Sequence, residues 1–156
     1  MYSTAGRHER AVALAREALA LAPDDALMLS ALANALAMAG ETAEAVAVAD
    51  RAVAVAPDTE PFYWVATYAR ARAGDRAGAE AALARITEAQ HYTRAAVETA
   101  LGRPDSAFAA LDRSVAASES PLVELSADPW FAPLHGDPRW SRLESRVRAR
   151  GPEGGG

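Results

Sequence analysis

Cysteine and lysine are both missing from this chain of 156 residues, and aromatic residues make up only 6% of it. The lack of cysteine excludes disulfide bonds, thiolate metal sites and cysteine nucleophiles. All 16 basic residues are arginine, and a formal net charge of -5 does not supply the broad positive potential that phosphate binding requires. Direct binding of nucleic acid is therefore disfavoured.

Long uninterrupted apolar runs are also absent from the start of the chain. The first apolar stretch is broken by Arg16 and Glu17, so it fits neither the core of a signal peptide nor a membrane span. These features predict a soluble cytoplasmic protein without membrane contact. Arginine in place of lysine, together with abundant alanine, also fits a GC-rich bacterial genome, which is an argument from codon usage.

Alanine and leucine dominate what is present. A hydrophobic share of 51% with 24% charged residues is that of one soluble globular domain. Alanine has the highest intrinsic helix propensity, and straight-chain residues lose little rotamer freedom in a helix. The composition therefore predicts an all-α protein.

A period of 34 residues organises the first half of the chain. It separates Gly6, Gly40 and Gly74, and also Ala11, Ala45 and Ala79, Ala18 and Ala52, and Pro23 and Pro57. Each glycine is expected to end a helix in the left-handed conformation, and each proline to close the next helix, with a following Asp as cap. Within one unit the two marker alanines, such as Ala45 and Ala52, lie seven residues apart and so share one helix face. Small side chains there let a neighbouring helix approach closely. The period thus predicts a series of αα-hairpins.

This 34-residue unit resembles the tetratricopeptide repeat. Residues 26–59 form one full repeat, with Leu29, Leu32 and Leu36 on its first helix and Ala45, Ala49 and Ala52 on its second. Residues 60–89 lack the closing proline and carry Ile86 where a small residue is usual. A fourth, shorter unit has Gly102 only 28 residues after Gly74. The resemblance implies an α-solenoid of helix-turn-helix hairpins.

The N-terminal end of the array is predicted to be incomplete. Only Met1 to Ala5 precede Gly6, which is too short for the first helix of a hairpin. Helix 7–22 is then left with an exposed apolar flank, and such flanks in solenoids are normally covered. Either an upstream part of a longer protein or self-association through this half repeat would cover it.

The C-terminal part, from Ser120 onward, is predicted to leave the repeat pattern and to cap the solenoid. Asp128 and Asp137 each stand before a proline, which favours a short turn and then a final helix of about ten residues. An apolar plug between them is expected to consist of Trp130, Phe131, Pro133 and Leu134. The run SPLVELSADPWFAPLHGDPRWSRLESRV is similar to the ending of many bacterial tetratricopeptide proteins, including those attached to signalling kinases, nucleotide cyclases or winged-helix regulators. The predicted division is repeats over 1–119, a cap over 120–150 and a flexible tail over 151–156.

The sequence gives little support for a catalytic or metal-binding function. His135, close in sequence to Asp128 and Asp137, is the candidate for a metal ligand or an acid-base group, but a loop histidine in an apolar cap is more often a surface or packing residue. The sequence has no Gly-rich phosphate loop, no His pair at metal-ligand spacing and no nucleophile motif. We therefore expect no catalytic residues, no metal site and no cofactor, and hence no enzyme.

The resemblance also implies where a partner binds. In tetratricopeptide proteins the first helix of each hairpin lines a concave groove that holds extended peptides or partner helices. The implied partner-binding residues are Asn34 and Met38 on helix 26–39, Trp64, Tyr68 and Arg72 on helix 61–73, and Tyr92 on the next helix. Trp64, Tyr68 and Arg72 are four residues apart, so they share one face, and their composition is that of an interface hot spot. Alternatively, Trp64 and Tyr68 pack between hairpins.

The sequence thus predicts a non-catalytic scaffold that binds a protein or peptide in the concave groove. The alternative is a C-terminal regulatory segment of a larger bacterial signalling enzyme or transcription regulator, with the groove packed against its own chain. The absence of lysine argues against binding of the acidic tails of chaperones, because the repeats that clamp those tails use lysines along the groove.

Overall fold

Among the residues that the structure describes, every regular element is a helix. The structure is a computed structural model, and it describes residues 4–57, 59–86, 90–119, 122 and 125–149, with only the backbone described at residues 4–6, 60 and 61. The elements are α1 (Thr4–Leu21), α2 (Ala26–Ala39), α3 (Thr42–Val55), α4 (Glu60–Arg72), α5 (Arg76–Leu83), α6 (His91–Ala100), α7 (Pro104–Ala117), a 3-10 helix (Pro129–Leu134) and α8 (Pro138–Ala149). The tail predicted for residues 151–156 lies outside the described residues.

The chain forms two compact units, Met1–Ile86 and Thr87–Gly156. In the first unit each of the helices α1 to α5 packs against its neighbour in sequence, and α2 also packs against α4. In the second unit α6 packs against α7 and the 3-10 helix, and α7 packs against α8. Packing between sequence neighbours is the pattern of a helical-repeat solenoid, so the predicted fold class is confirmed.

Turn glycines end the first helix of successive hairpins. The φ angles of Gly40, Gly74 and Gly102 are 89°, 80° and 71°. A Cβ atom at any of these glycines would meet nothing within 4 Å, so backbone conformation rather than lack of space selects glycine. The turn predicted for Gly6 is wrong, because α1 begins at Thr4 and Gly6 lies inside it.

Aspartate caps and prolines mark the other helix ends. Asp25 accepts a hydrogen bond from the backbone N–H of Met28 at 3.0 Å, and so caps α2 as the sequence predicts. Pro23 and Pro57 follow the ends of α1 and α3. The cap expected before α4 falls on Asp58, which lies outside the described residues, and the adjacent Thr59 makes no side-chain cap bond.

The small residues of the repeat hold the helices together. The repeat residues named from the sequence are all buried: Leu29, Leu32, Leu36, Ala45, Ala49 and Ala52. Ser30, Ala33, Ala35 and Ala37 of α2 are buried as well. Ala79 on α5 and Ala107 on α7 are also fully buried. Ala11 is exposed instead, because the buried side of α1 carries Val12 and Ala15.

The apolar plug near the C-terminus has a different composition from the one predicted. Phe131 and Leu134 are 0% and 3% exposed, but Trp130 is only partly buried and Pro133 is exposed. Side chains of α8 complete the plug. Its buried members from the 3-10 helix and α8 are Phe131, Leu134, Trp140 and Leu143.

Candidate partner-binding site

Two helices of the first unit bring three predicted site residues together. Tyr68 on α4 donates its hydroxyl hydrogen to Sδ of Met38 on α2, with an O–S distance of 3.1 Å. The ring centroid of Trp64 lies 6.4 Å from that of Tyr68, with 60° between the ring planes. We name the surface formed by Asn34, Met38, Trp64, Tyr68 and Arg72 the α2–α4 face.

Exposure divides this face into a support and a surface. Tyr68 is 1% exposed, so it is a core residue and offers a partner almost no surface. Asn34, Met38 and Trp64 are partly buried, and Arg72 is exposed. The packing interpretation therefore describes Tyr68, whereas Trp64 and Arg72 keep surface that a partner could contact.

Charge is sparse on the two helices. The α2 sequence contains no charged residue. On α4, Arg70 donates to Asp50 of α3 at 2.6 Å and is neutralised by it. Arg72 makes no ion pair with any residue that the structure describes. A partner on this face would thus meet apolar and amide groups with one available guanidinium.

Tyr92, the remaining predicted site residue, lies in the second unit. Its hydroxyl donates to Oδ2 of Asp128 at 2.9 Å, and its ring packs edge-on against Phe131 with centroids 5.1 Å apart. Tyr92 is only 4% exposed. Its contacts tie α6 to the 3-10 helix, and its binding role stays a prediction.

Comparison with known families agrees with the repeat geometry of the first unit. Residues 3–70 match the family model described as tetratricopeptide repeat. This part of the chain is therefore similar to tetratricopeptide repeats. The match runs from the start of α1 to near the end of α4, so it includes most of the α2–α4 face. No curated protein and no solved structure matches the chain.

Two exposed residues of the tetratricopeptide region extend the α2–α4 face beyond those predicted from sequence. Leu27, Ala31, Asn34 and Met38 are spaced i, i+4, i+7 and i+11, so they form one stripe on α2. Leu27 is 64% exposed, and Ala31 is exposed as well. The helical spacing from Asn34 was the available signal, but a leucine in an apolar helix is ordinarily assigned to the core.

A pocket of about 290 Å³ lies on another side of the first unit, between α3, α4 and α5. On its rim the guanidinium carbon of Arg85 lies 4.5 Å from the Tyr63 ring centroid, and Nη2 of Arg85 donates to the Tyr63 hydroxyl at 3.3 Å. The small residues Ala66 and Gly78 leave the space open. This pocket is the competing place for a partner.

The described residues show no arrangement typical of reactive chemistry. No three His, Asp or Glu side chains among them come together in a way that could hold a metal ion. His135 is exposed and lies against the Trp140 ring, with centroids 4.5 Å apart, which confirms its surface and packing role.

None of the helices in the described part of the chain is both long and apolar enough to cross a bilayer.

Proposed function

We propose that this protein is a non-catalytic scaffold that binds a protein or peptide partner on the α2–α4 face. Tetratricopeptide repeats generally mediate protein–protein interaction, and stacked repeats build extended binding surfaces. The observation that carries the proposal is the contact of Tyr68 with Met38, beside a partly exposed Trp64. Arg72 lies two turns from Trp64 and makes no ion pair with a described residue.

The physical advantage of this arrangement is preorganisation. Tyr68 is buried and holds Trp64 and Met38 in place, so these side chains lose little conformational freedom when a partner binds. Tryptophan and arginine are both enriched in interface hot spots, where truncation costs about 2 kcal/mol or more. The alanines around them contribute shape rather than affinity.

The chemistry of the face also restricts the partner. Trp64 and Arg72 are eight residues apart on one helix, which is about 12 Å along its axis. A partner that uses both would present an apolar side chain to Trp64 and a carboxylate to Arg72. We therefore expect a segment with one acidic residue next to apolar ones, rather than a highly acidic tail.

Site-specific crosslinking in the native host tests the location. A photo-crosslinking amino acid in place of Ala31 on α2 should trap the partner, and the same residue in place of Ala47 on α3 should not. Both alanines are exposed, so the two positions are matched. Trapping at Ala47 alone would contradict the proposal and favour the pocket between α3, α4 and α5.

A charge reversal provides the second arm. Arg72→Glu should reduce capture of the trapped partner, whereas Arg113→Glu on α7 makes the same charge change at another exposed arginine and should leave capture unchanged. Equal capture by both variants would exclude Arg72 from the site.

The alternative function, a regulatory segment of a larger bacterial signalling enzyme or transcription regulator, gives a different crosslink. There the α2–α4 face would pack against its own polypeptide, and the residue at position 31 would form an intramolecular link. We also propose a cytoplasmic location and a bacterial origin, both of which are expected from the sequence.

A further inference from the structure

One side of α1 is uncovered and apolar at its centre. The residues along it, Arg7, Arg10, Leu14, Glu17 and Leu21, are three or four positions apart, so they form a single stripe, which we name the α1 stripe. Leu14 is 57% exposed and Leu21 is 90% exposed. The opposite side of α1 buries Val12 and Ala15.

Small residues flank the α1 stripe on both sides. Ala11 and Ala18 lie on one flank, and Ala13 and Ala20 lie on the other. Three of these alanines are exposed and Ala18 is partly buried. Because alanine side chains are short, a second helix could approach α1 closely along this line.

The charges of the α1 stripe are arranged in two halves. Arg7 and Arg10 lie N-terminal to Leu14, and Glu17 lies C-terminal to it. None of these three makes an ion pair with a described residue. The neighbouring Arg16, which lies off the stripe, is instead bound to Glu44 at 2.9 Å. Arg7, Arg10 and Glu17 are thus charges of the uncovered side that no described residue neutralises.

We propose that two copies of this chain associate through their α1 stripes, with the helices antiparallel around a two-fold axis at Leu14. In this pairing Leu14 packs against Leu14 of the second copy. Arg10 lies level with Ala18 of the second copy and therefore beside its Glu17, and the symmetry repeats this pair. Arg7 lies level with Leu21 of the second copy, which the aliphatic part of the arginine can cover.

Self-complementarity is the reason to choose a second copy over another occupant. A two-fold axis reverses the helix direction, so a basic half followed by an acidic half meets its own complement. One helix pair over 15 residues spans about 21 Å and buries less than the 1,200 Å² or so of a stable interface. The association should therefore be weak and dependent on concentration. It uses a surface separate from the α2–α4 face, so either proposal can fail alone.

Sedimentation equilibrium of the full chain tests the pairing. Arg10→Glu places a carboxylate beside Glu17 of the second copy, and Glu17→Arg places two guanidinium groups together. Each variant alone should associate about tenfold more weakly than the parent. An equimolar mixture of the two should recover parental association. In a dimer of one R10E and one E17R copy, the side chains at positions 10 and 17 that face each other again have opposite charges. The double variant R10E/E17R should also recover it.

The control is Glu9→Arg, which makes a similar charge change on the same helix but outside the α1 stripe, and should leave association unchanged. Circular dichroism of each variant excludes loss of the helical fold. Two results would overturn the proposal. The first is a parent that stays monomeric at its highest soluble concentration, which would mean that another segment or protein covers α1. The second is a mixture of R10E and E17R that associates no better than either variant alone.

Discussion

Arg139 on α8 donates a hydrogen bond of 2.7 Å to Asp105 on α7, and the two residues are 34 positions apart. Arg146 and Asp112 form a second hydrogen-bonded ion pair between the same helices, also 34 positions apart. From the first pair to the second, the residue number increases by seven on both helices. The helices α7 and α8 therefore run in the same direction and in register.

The same interval is present in the sequence of the cap. Gly136 and Pro138 follow Gly102 and Pro104 by the same 34 residues. The 3-10 helix, which packs against α6, takes the place of a first helix, and α8 takes the place of a second. The cap predicted from Ser120 onward thus keeps the 34-residue interval, and the division of the chain into repeats and a cap stays a prediction. The alanine marker does not reveal this interval, because the residue 34 positions after Ala107 is the exposed Ser141.

The first prediction concerns the core of the cap. Phe131 is fully buried between Tyr92 and Trp140, with ring centroids 5.1 Å and 6.3 Å away. Phe131→Ala should lower the free energy of unfolding by about 3–5 kcal/mol through lost burial and a cavity. Trp130→Ala should cost less, because Trp130 is only partly buried. Chemical denaturation followed by circular dichroism measures both, and an equal or larger loss for Trp130→Ala would contradict this account of the plug.

A remote cap of α6 supplies the second prediction. The Glu119 carboxylate accepts hydrogen bonds from the backbone N–H groups of His91 at 3.0 Å and Tyr92 at 2.9 Å, and from the Ser114 hydroxyl. Hydrogen bonds to a charged group contribute about 1.5–3 kcal/mol each, so Glu119→Gln should measurably destabilise the second unit. Hydrogen exchange should show faster exchange at the start of α6. Glu9→Gln on α1 is the control, and equal effects of the two changes would remove the capping role.

Acid titration of the cap gives the third prediction. Hydrogen bonds from the Arg139 side chain, and then from its backbone N–H, lower the pKa of Asp137 from 3.8 to about 2. A depressed pKa in the folded state means that the stabilisation is complete above pH 3.8 and is lost as the pH falls through about 2.

Asp137→Asn isolates this charge, because asparagine is also a good N-cap. The variant should melt at a lower temperature than the parent near neutral pH, and the difference should shrink between about pH 4 and pH 2. Melting curves across this range provide the measurement. A difference that persists at pH 2 would show that shape, not charge, is responsible.

Local rules explain how much of the fold the sequence predicts. A glycine after a helix and a proline after the next are backbone constraints, so the turns at Gly40 and Gly74 follow from them. Burial of Ala45 and Ala79 follows from helical spacing in the same way. The turn predicted at Gly6 is wrong because a 34-residue interval alone does not distinguish a turn glycine from a glycine inside a helix.

The candidate site depends on contacts that spacing does not reveal. Trp64, Tyr68 and Arg72 do share one face of α4, but the depth of each residue is set by α2. Tyr68 contacts Met38, which is 30 residues away in the sequence, and no local sequence pattern predicts that contact. Tyr92 is similar, because Asp128, which accepts its hydroxyl hydrogen, is 36 residues away in the cap.

The fourth prediction tests why glycine stands at position 40. Its φ of 89° is left-handed, so Gly40→Ala should cost about 1–2 kcal/mol although there is room for the methyl group. Gly136→Ala is the matched control, since a Cβ there also meets nothing within 4 Å and its φ is not left-handed. It should be neutral or slightly stabilising. Similar losses at both positions would mean that something other than backbone conformation selects glycine at position 40.

The last prediction separates support from contact on the α2–α4 face. Tyr68→Ala should lower the free energy of unfolding by about 3–5 kcal/mol, because it removes a buried aromatic side chain. Tyr68→Phe keeps the buried ring and removes the hydroxyl that donates to Met38, so it should change stability and partner capture little. Arg72→Ala should leave stability within about 0.5 kcal/mol, since Arg72 is exposed and unpaired among the described residues, yet it should weaken partner binding. Denaturation and crosslinking yield on the same samples distinguish these effects. If Tyr68→Phe abolishes capture while remaining as stable as the parent, the hydroxyl reaches the partner directly, and the burial of Tyr68 does not describe the bound state.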